Sequence, residues 1–216
     1  MTFSEENYLK AIYGLQKENP SGVSTNAVAE NLDTKAASAT DMIKKLNEKQ
    51  LVNYKPYQGV LLNAEGEKWA LHVIRKHRLW ETFLAEKLKF GWEEIHEVAE
   101  QLEHIHSEKL VRELDRFLGF PEYDPHGDPI PDEEGNLPKV AKRKLSQLNV
   151  GDQGVCTGVN DTSSSFLKFL AKQQINLGTN IEVLELESFD RSMSILINGE
   201  KVVLSKIATD NIYVKH

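Results

Sequence analysis

The sequence predicts a mainly α-helical protein with a small β domain at its C-terminal end. Apolar residues recur at helical spacing through most of residues 4–119, and capping residues separate the segments. Five of the seven prolines then fall within residues 120–138, which predicts an irregular connection. Beyond it, short strand-like runs are punctuated by glycine and Asn-Gly. These observations predict helical domains, a linker and then a β-barrel of roughly seventy residues.

Composition limits the classes of protein to consider. The chain has 216 residues without a run of about eighteen apolar ones, so no transmembrane helix is expected, and its N-terminus lacks the signal-peptide pattern. The single cysteine, Cys156, excludes an internal disulfide and suits the cytoplasm, the expected location. The net charge is −7, but residues 63–137 hold eighteen of the 33 acidic residues. The negative total therefore leaves room for a locally basic surface.

The N-terminal region predicts three helices followed by a hairpin. The first helix covers residues 4–18, where Ser4 is the expected N-cap and apolar residues form a stripe. A short second helix is predicted from about Thr25 to Leu32, and a longer third helix from about Lys35 to Lys49. Residues 51–62 contain two β-type runs around a glycine, which is typical of a hairpin.

This order is that of a winged helix-turn-helix, in which one helix enters the major groove of DNA. Thr34 is the expected cap of the third helix, whose N-terminal side chains are small or polar, as groove insertion requires. Residues 35–62 contain five lysines against two acidic residues, so the region is locally basic. The predicted DNA contacts are Thr25, Ala36, Ala37, Ser38, Thr40, Lys44, Lys45 and Lys55. The alternative is a small three-helix domain with solvated lysines.

Three further helices are predicted before the linker. Asn63 caps a long helix over about 64–88, a second helix covers about 93–106, and a third ends at Gly119. The predicted domains are a winged helix-turn-helix at 1–63, a helical domain with a Pro-rich linker at 64–138, and a small β domain at 139–216.

The helix predicted at 93–106 is rich in side chains that bind metals. At about 100° per residue, Glu100, Glu103 and His104 share one face with His96, and the opposite face is apolar. Four glutamates and two histidines fall in the stretch "EVAEQLEHIHSE". Carboxylates and imidazoles concentrated on one face predict a metal site. The alternative is a solvated acidic face.

The preceding helix carries two further candidate ligands. His77 and Glu81 lie four residues apart and therefore on one helix face. If the two helices pack antiparallel, six ligands converge between them. Asn7, on the polar side of the first helix, is a candidate oxygen donor.

Five stretches, taken in order, resemble the diphtheria-toxin-repressor and manganese-transport-regulator family of metal-dependent regulators. They are "EENYLKAIYGL", "AASATDMIKKL", "VIRKHRLWETFL", "EVAEQLEHIHSE" and "PHGDPIP". The match runs to about residue 131, and the β-rich remainder resembles the SH3-like domain of the longer members. The resemblance therefore implies a metal-binding and dimerisation domain at 64–138 and an SH3-like (FeoA-type) β-barrel at 139–216. The resemblance implies a homodimer that binds a palindromic operator in double-stranded DNA and represses metal-uptake genes.

The resemblance also implies two sets of metal ligands. His77, Glu81 and His96 match the ancillary site of the family. The residues that match its primary, activating site are Asn7, Glu100, Glu103 and His104. The SH3-like domain of long members can add a ligand to the ancillary site, and Asp161 is the candidate for that role.

The chain departs from the family at three ligand positions. Asn7 is neutral where relatives carry Asp or Met. Lys10 stands where the short manganese regulators have a carboxylate, so their closely spaced pair of ions is not expected. Glu100 replaces the cysteine of the iron-type members. This oxygen-rich set favours Mn(II) over Fe(II), and Zn(II) is a competitor in vitro.

Two other functions fit parts of the sequence. Glu93-x-x-His96 and Glu103-x-x-His106 match the Glu-x-x-His pattern of di-iron carboxylate enzymes, but both fall on one predicted helix whereas that chemistry needs them on facing helices. The other alternative is a winged-helix regulator that binds DNA without metal. The prediction is a regulator without enzymatic activity, membrane association or a small organic ligand.

Overall fold

The computed structural model describes residues 1–56, 58–138, 143–161 and 163–215. The chain divides into two compact units, which are considered separately below. The first unit comprises Met1–His77, Glu100–Glu108 and Pro131–Leu137. The second unit comprises Arg78–Ala99, Lys109–Ile130 and Pro138–His216. No helix in the described part of the chain is both long and apolar enough to cross a membrane.

The helices are α1 (Phe3–Glu18), α2 (Thr25–Asn31), α3 (Ala36–Glu48), α4 (Ala64–Glu86), α5 (Trp92–Leu102), α6 (Glu108–Leu118), α7 (Ser164–Lys172) and α8 (Lys206–Asp210). The strands are β1 (Val52–Lys55), β2 (Gly59–Leu62), β3 (Arg143–Lys144), β4 (Gln153–Val159), β5 (Asn180–Leu186), β6 (Met193–Ile197), β7 (Glu200–Leu204) and β8 (Ile212–Lys215). A 3₁₀ turn covers Leu145–Gln147. The predicted fold class, helical domains followed by a small β domain, is confirmed.

Helix α1 begins with a capping box at Thr2, two residues before the predicted N-cap. The Thr2 hydroxyl accepts from the Glu5 backbone N–H at 3.3 Å, and the Glu5 carboxylate accepts from the Thr2 N–H at 3.1 Å. Ser4 lies inside the helix, so the prediction that it is the cap is wrong. The reciprocal bond from Glu5 favours Thr2, because Ser4 has no acidic residue three positions later.

Helix α3 begins at Ala36 and has Lys35 as its N-cap, without a side-chain capping bond. The predicted cap, Thr34, is therefore wrong by one residue. Its backbone N–H instead donates to the carbonyl of Ala29 at 2.9 Å, which closes the turn after α2. The absence of a capping oxygen at the start of α3 leaves its first N–H groups available to other acceptors.

The hairpin is held against the segment before α2. Strands β1 and β2 form the predicted hairpin and pair antiparallel, with Val52 opposite Leu62. Val23 and Val60 exchange two backbone hydrogen bonds at 3.0 and 2.8 Å. A Cβ at Gly59, where φ is +95°, would lie 2.7 Å from the Val23 carbonyl oxygen, so this approach requires glycine.

The described residues of the first unit share an apolar core, to which the three N-terminal helices, the hairpin and α4 contribute. Leu9 and Ile12 of α1 pack with Ile43 and Leu46 of α3, and all four are inaccessible to solvent. Burial of each such side chain stabilises the fold by about 1.5–3 kcal/mol. Asn63 caps α4, as predicted, because its Oδ1 accepts from the Gly66 N–H at 2.9 Å.

The helical part of the second unit packs around Leu79, Val111, Leu114 and Ile130. Helix α6 ends where the sequence predicted, because Gly119 adopts a φ of +78°.

The β domain is an antiparallel sheet with the strand order β3-β8-β4-β5-β6-β7. Leu167 and Leu170 of α7 are buried in its core beside residues of β5 and β6. The strand-like runs of the sequence correspond to β4, β5, β6 and β7, whereas β3, β8, α7 and α8 were not anticipated. The predicted domain boundary after residue 138 adjoins residues 139–142, which lie outside the described residues.

Candidate metal centre and nucleic-acid interface

The segment after α5 differs from the predicted helix in its last turn. Helix α5 ends at Leu102, and a turn follows in which the Ile105 N–H donates to the Leu102 carbonyl at 3.1 Å. Glu103 and His104 therefore lie in a turn, and the prediction that the helix continues to 106 is wrong. Their side chains are nevertheless buried and contact residues of α1 and α4.

These contacts define a group that we call the α1 cluster. Its members are Glu6, Lys10, His77, Glu103 and His104, and all belong to the first unit. Glu103 lies at its centre, with Oε2 2.6 Å from His77 Nδ1 and 2.7 Å from Lys10 Nζ. Burial by itself raises the pKa of Glu103, but the contacts with His77 and Lys10 outweigh it and hold this pKa below its usual value. Glu103 is therefore a carboxylate at neutral pH.

Glu6 supplies the carboxylate of α1 that meets His104. Its Oε2 lies 2.5 Å from His104 Nδ1, and Phe3 stacks on the same imidazole at 4.7 Å between ring centroids. Its Oε1 is buried without a hydrogen bond, at 3.6 Å from His106 Nδ1 and 3.8 Å from Lys76 Nζ. Burial lowers the pKa of Lys76.

Only some of the predicted primary-site residues lie close to one another. Glu103 and His104 lie in the α1 cluster, and Glu100 approaches it through Lys10 at 3.7 Å. Asn7 is exposed, whereas its neighbour Glu6 faces the cluster. The stretch "EEN" offers two carboxylates beside Asn7, and the rotation of the helix places Glu6 against the cluster.

The α1 cluster has the chemistry of a cation site. Carboxylate and imidazole donors without a thiolate suit Mn(II) and Fe(II) and accept Zn(II). The buried Glu6 Oε1 lacks a hydrogen-bond donor, which in a native protein calls for an explanation such as an ion. The residues present therefore fit a divalent metal.

A second group, in the second unit, is called the Glu81 cluster and comprises Glu81, His96, Asp124 and His126. Glu81 is buried on α4, with Oε1 3.2 Å from His96 Nδ1 and Oε2 3.4 Å from His126 Nδ1. The contact of Glu81 with His96 joins two residues of the predicted ancillary set. Asp124 and His126 were not anticipated as site residues, although "DPHG" places both types within the Pro-rich connection.

Asp161 lies before α7 in the second unit. Its Oδ1 accepts from the Ser163 N–H at 2.8 Å. Ser163 in turn caps α7, because its hydroxyl accepts from the Phe166 N–H at 3.4 Å. This arrangement gives Asp161 a role in the turn before α7. A role as an ancillary ligand stays a prediction.

The predicted DNA-contacting residues lie largely on the surface of the first unit. Ala36, Ala37 and Ser38 are exposed at the start of α3. Thr40 is half-buried and donates its hydroxyl proton to the Ala36 carbonyl at 2.8 Å. Lys44, Lys45 and Lys55 are exposed and Thr25 is half-buried.

Two lysines at the C-terminal end of α3, however, form ion pairs with Glu5 of α1. The Glu5 Oε1 atom is 2.9 Å from Lys45 Nζ and 2.7 Å from Lys49 Nζ. Burial alone raises the pKa of Glu5, but the bonds from Lys49 and Lys45 prevail and lower it to about 2. Lys45 is therefore partly neutralised by Glu5, and Lys44 on the same helix lies 3.9 Å from Asp41.

Three family models match consecutive parts of the chain. The iron-dependent repressor N-terminal DNA-binding domain matches residues 1–60. The iron-dependent repressor metal-binding and dimerisation domain matches residues 63–132, and the FeoA domain matches residues 143–216. A solved manganese-dependent transcriptional repressor in complex with manganese is 37% identical to this chain with a TM-score of 0.81, covering 97% of this chain and 98% of that one. The chain belongs to the iron-dependent repressor family.

Other members of the family support this assignment. The structure of ScaR with bound Zn²⁺ is 30% identical with a TM-score of 0.73 and covers 98% of both chains. The iron-dependent repressor IdeR of Mycobacterium tuberculosis is 32% identical over 126 residues, which are 58% of this chain and 54% of IdeR. The chain thus matches about half the length of IdeR. The resemblance inferred from the five sequence stretches is confirmed.

Proposed function

We propose that the protein is a homodimeric, metal-activated transcriptional repressor that binds a palindromic operator in double-stranded DNA. The activating ion is Mn(II) or Fe(II), and Zn(II) competes in vitro. Membership of the iron-dependent repressor family supports the proposal. One observation carries it: neighbouring residues of α1 contact the candidate metal ligands and the DNA-reading helix. Glu6 contacts His104, and Glu5 contacts Lys45 and Lys49 of α3.

The proposed primary ligands are Asn7, Glu100, Glu103 and His104, and the structure adds Glu6 as a candidate. The proposed ancillary ligands are His77, Glu81 and His96, with Asp161 as a further candidate. A divalent ion supplies positive charge that offsets the repulsion among these carboxylates. The donor set contains no thiolate, which supports a hard ion such as Mn(II).

Side chains of the first unit connect the proposed metal site with helix α3, which carries the predicted DNA contacts. Lys10 bonds Glu103 and so holds α1 against the turn after α5. Glu5 holds the same helix against the end of α3. A change in how α1 sits against Glu103 and His104 therefore reaches α3 through Glu5. Coupling of this kind is typically about 1–3 kcal/mol and is reciprocal, so operator DNA should tighten metal binding by the same factor.

Exposed aromatic residues on the helical part of the second unit support the homodimer. Phe117 of α6 is 64% exposed and Phe120, just beyond it, is 65% exposed. The Phe83 ring of α4 lies 6.2 Å from the Phe117 ring. Clustered apolar surface of this kind is typical of an interface, and a twofold dimer presents two DNA-reading helices about 34 Å apart.

We infer that the protein is not an enzyme and acts in the cytoplasm, where its DNA target lies. Glu103 of the second Glu-x-x-His pair lies in a turn, which removes the helical geometry that a di-iron carboxylate centre needs. The side chain of Glu93, from the first pair, lies outside the described part of the structure.

The test is a titration of Mn(II), and of Fe(II) under anaerobic conditions, into metal-free protein while binding to fragments of its own genome is followed. We expect metal to tighten DNA binding by about 10-fold or more. Glu103→Ala and His104→Ala should abolish the metal response, whereas Glu97→Ala, an exposed carboxylate of α5, should keep it. Equal DNA binding by the metal-free protein and all variants would show that the regulator responds to a different signal.

A further inference from the structure

The exposed face of α3 carries two charged side chains near its middle. Three buried side chains, Ala39, Ile43 and Leu46, determine which face of the helix packs against the core. At about 100° per residue, Asp41 lies almost directly opposite them, and Lys44 lies beside it on the same exposed face. The packing of the first unit therefore points the Asp41 side chain outward, and 80% of this side chain is exposed.

Two other lysines at the end of α3 are directed towards α1 instead. Lys45 and Lys49 lie 2.9 and 2.7 Å from the Glu5 carboxylate of that helix. Lys44 lies 3.9 Å from Asp41, which stands three residues earlier on the same helix. The middle of the exposed face of α3 thus presents one ammonium group and one carboxylate side by side.

The stability of the helix gives only a weak reason for an aspartate at position 41. Asp41 is the sixth residue of α3 and lies beyond the first turn, in which a carboxylate benefits from the helix dipole. Its ion pair with Lys44 is solvent-exposed and longer than a hydrogen bond, so it adds little stability. Aspartate also has a lower helix propensity than alanine or glutamate. The described contacts of the first unit therefore give Asp41 little structural role.

A carboxylate on a DNA-reading helix is unfavourable unless it contacts a base, because the phosphates of DNA repel it. In the major groove, a carboxylate meets hydrogen-bond donors only at the amino groups of cytosine and adenine. The amino group of adenine stands beside the N7 acceptor, which repels a carboxylate. The amino group of cytosine has no acceptor beside it on the same base. The chemistry of Asp41 therefore favours cytosine.

We propose that Asp41 recognises cytosine, and that Asp41 and Lys44 together recognise one C·G base pair in each half of the operator. The Asp41 carboxylate accepts a hydrogen bond from the cytosine amino group, and the Lys44 ammonium donates to O6 or N7 of the paired guanine. These donor and acceptor groups are neighbours in the groove, as are the two side chains, 3.9 Å apart. The inference rests on the proposed function and adds Asp41 to the residues that contact DNA.

The two side chains should contribute differently to DNA binding. Lys44 is attracted to any DNA through the charge of the phosphates, whereas Asp41 disfavours every sequence that lacks cytosine at the contacted position. Asp41 should therefore lower the affinity for unrelated DNA more than the affinity for the operator. A residue that acts in this way increases specificity by excluding the wrong sequences.

The experiment starts from a pool of random-sequence duplexes, from which the full chain with Mn(II) bound selects its own operator. Each position of the selected duplex is then changed singly, and competition binding gives the relative affinities. We expect one C·G pair per half-site at which substitution weakens binding by about 10-fold. Asp41→Asn should shift the preference at that position to adenine, because an asparagine amide pairs with N6 and N7 of adenine. Asp41→Ala should remove the preference there and tighten binding to unrelated duplexes.

Glu48→Gln is the matched control, because Glu48 lies two turns further along the same exposed face of α3. Its base preference should match that of the unsubstituted protein at every position. Unchanged base preferences in both Asp41 variants, with metal-dependent binding intact, would overturn this inference alone. Equal binding of the unsubstituted protein to all duplexes, with and without metal, would overturn the proposed repressor function and this inference with it.

Discussion

The α1 cluster and the Glu81 cluster use similar ligands but neutralise them differently. In the α1 cluster two lysines approach the carboxylates: Lys10 bonds Glu103 at 2.7 Å and Lys76 lies 3.8 Å from Glu6. In the Glu81 cluster two imidazoles contact Glu81, Arg78 lies 3.5 Å from Asp124, and a glycine-packed loop holds one of the imidazoles. An ion at the α1 cluster must therefore compete with ammonium groups, whereas backbone packing holds the loop residues of the Glu81 cluster in place.

This difference indicates which cluster suits metal sensing and which suits stability of the fold. A site that already contains exchangeable cations binds a metal less tightly, and it rearranges when the metal replaces them. A site built on a rigid loop changes little on binding and adds its binding free energy to the stability of the fold. We therefore expect the α1 cluster to respond to changing metal levels and the Glu81 cluster to stay filled.

The rigidity of the Glu81 cluster is tested most directly at Gly127. Gly127→Ala places a Cβ 1.7 Å from the Thr157 carbonyl in a backbone with φ of +78°. We expect the free energy of unfolding to fall by about 3 kcal/mol, since both overlap and backbone strain contribute. Chemical denaturation of the full chain measures it.

The matched control for that change is Gly151→Ala. Its φ is +88°, but no atom lies within 4 Å of the added Cβ. Only backbone strain remains, so we expect a loss of about 1 kcal/mol. Equal losses for the two variants would mean that the loop yields to the extra methyl group, and that His126 is not held rigidly.

The competition in the α1 cluster is tested at Lys10. Lys10→Gln removes the ammonium beside Glu103, so a divalent ion no longer has a built-in competitor. We expect Mn(II) to bind about 10-fold more tightly, equivalent to about 1.4 kcal/mol. Isothermal titration calorimetry on metal-free protein measures the change.

Lys17→Gln is the control for Lys10, because it removes a lysine from the exposed side of α1. Its Mn(II) affinity should match that of the unsubstituted protein. If Lys10→Gln instead weakened Mn(II) binding, Lys10 would be organising the ligands rather than competing with the ion.

The smallest of the three effects concerns Glu5, which joins α1 to α3. Its pKa is lowered to about 2 in the folded protein, against 4.5 ordinarily. The unfolded chain therefore takes up the proton first, so the stabilisation is complete above about pH 4.5 and is lost as pH falls towards 2. We expect it to amount to about 1 kcal/mol, since Lys45 and Lys49 are half-exposed and screened by solvent.

Glu5→Gln should remove that contribution at neutral pH and make stability between pH 4.5 and 2 less steep. Urea denaturation across this range measures the slope. Glu18→Gln, an exposed glutamate at the other end of α1, is the control and should leave the slope unchanged. Equal slopes for Glu5→Gln and the unsubstituted protein would contradict an ionic link between α1 and α3.

Local sequence signals predicted most of the helices and the hairpin. The cap at Asn63, the stop at Gly119 and the pairing of residues 52–62 depend on neighbours in the chain, so a sequence displays them directly. The predicted N-caps were wrong where more than one nearby residue could begin the helix. Ser4 and Thr34 are suitable caps in isolation, but the reciprocal bond from Glu5 and the turn after α2 favour other residues.

The candidate sites were only partly predictable, because their geometry depends on distant contacts. Helical periodicity placed Glu103 and His104 on α5, but the chain turns after Leu102 and brings them to α1. Position in the sequence could not distinguish Glu6 from Asn7, since helix rotation selects the inward one. The place of His126 depends on packing between Gly127 and Thr157, thirty residues apart, which no local pattern reveals.

The adjacency of Glu5 and Glu6 has a consequence for how regulators of this kind can change over time. Side chains one position apart on a helix point about 100° away from each other. Under the proposed function, a point substitution at position 6 alters ion preference while the bond from position 5 to α3 persists. A single-residue insertion or deletion early in α1 would instead reassign both tasks at once. Signal preference can therefore drift independently of operator preference, provided that the length of this segment is kept.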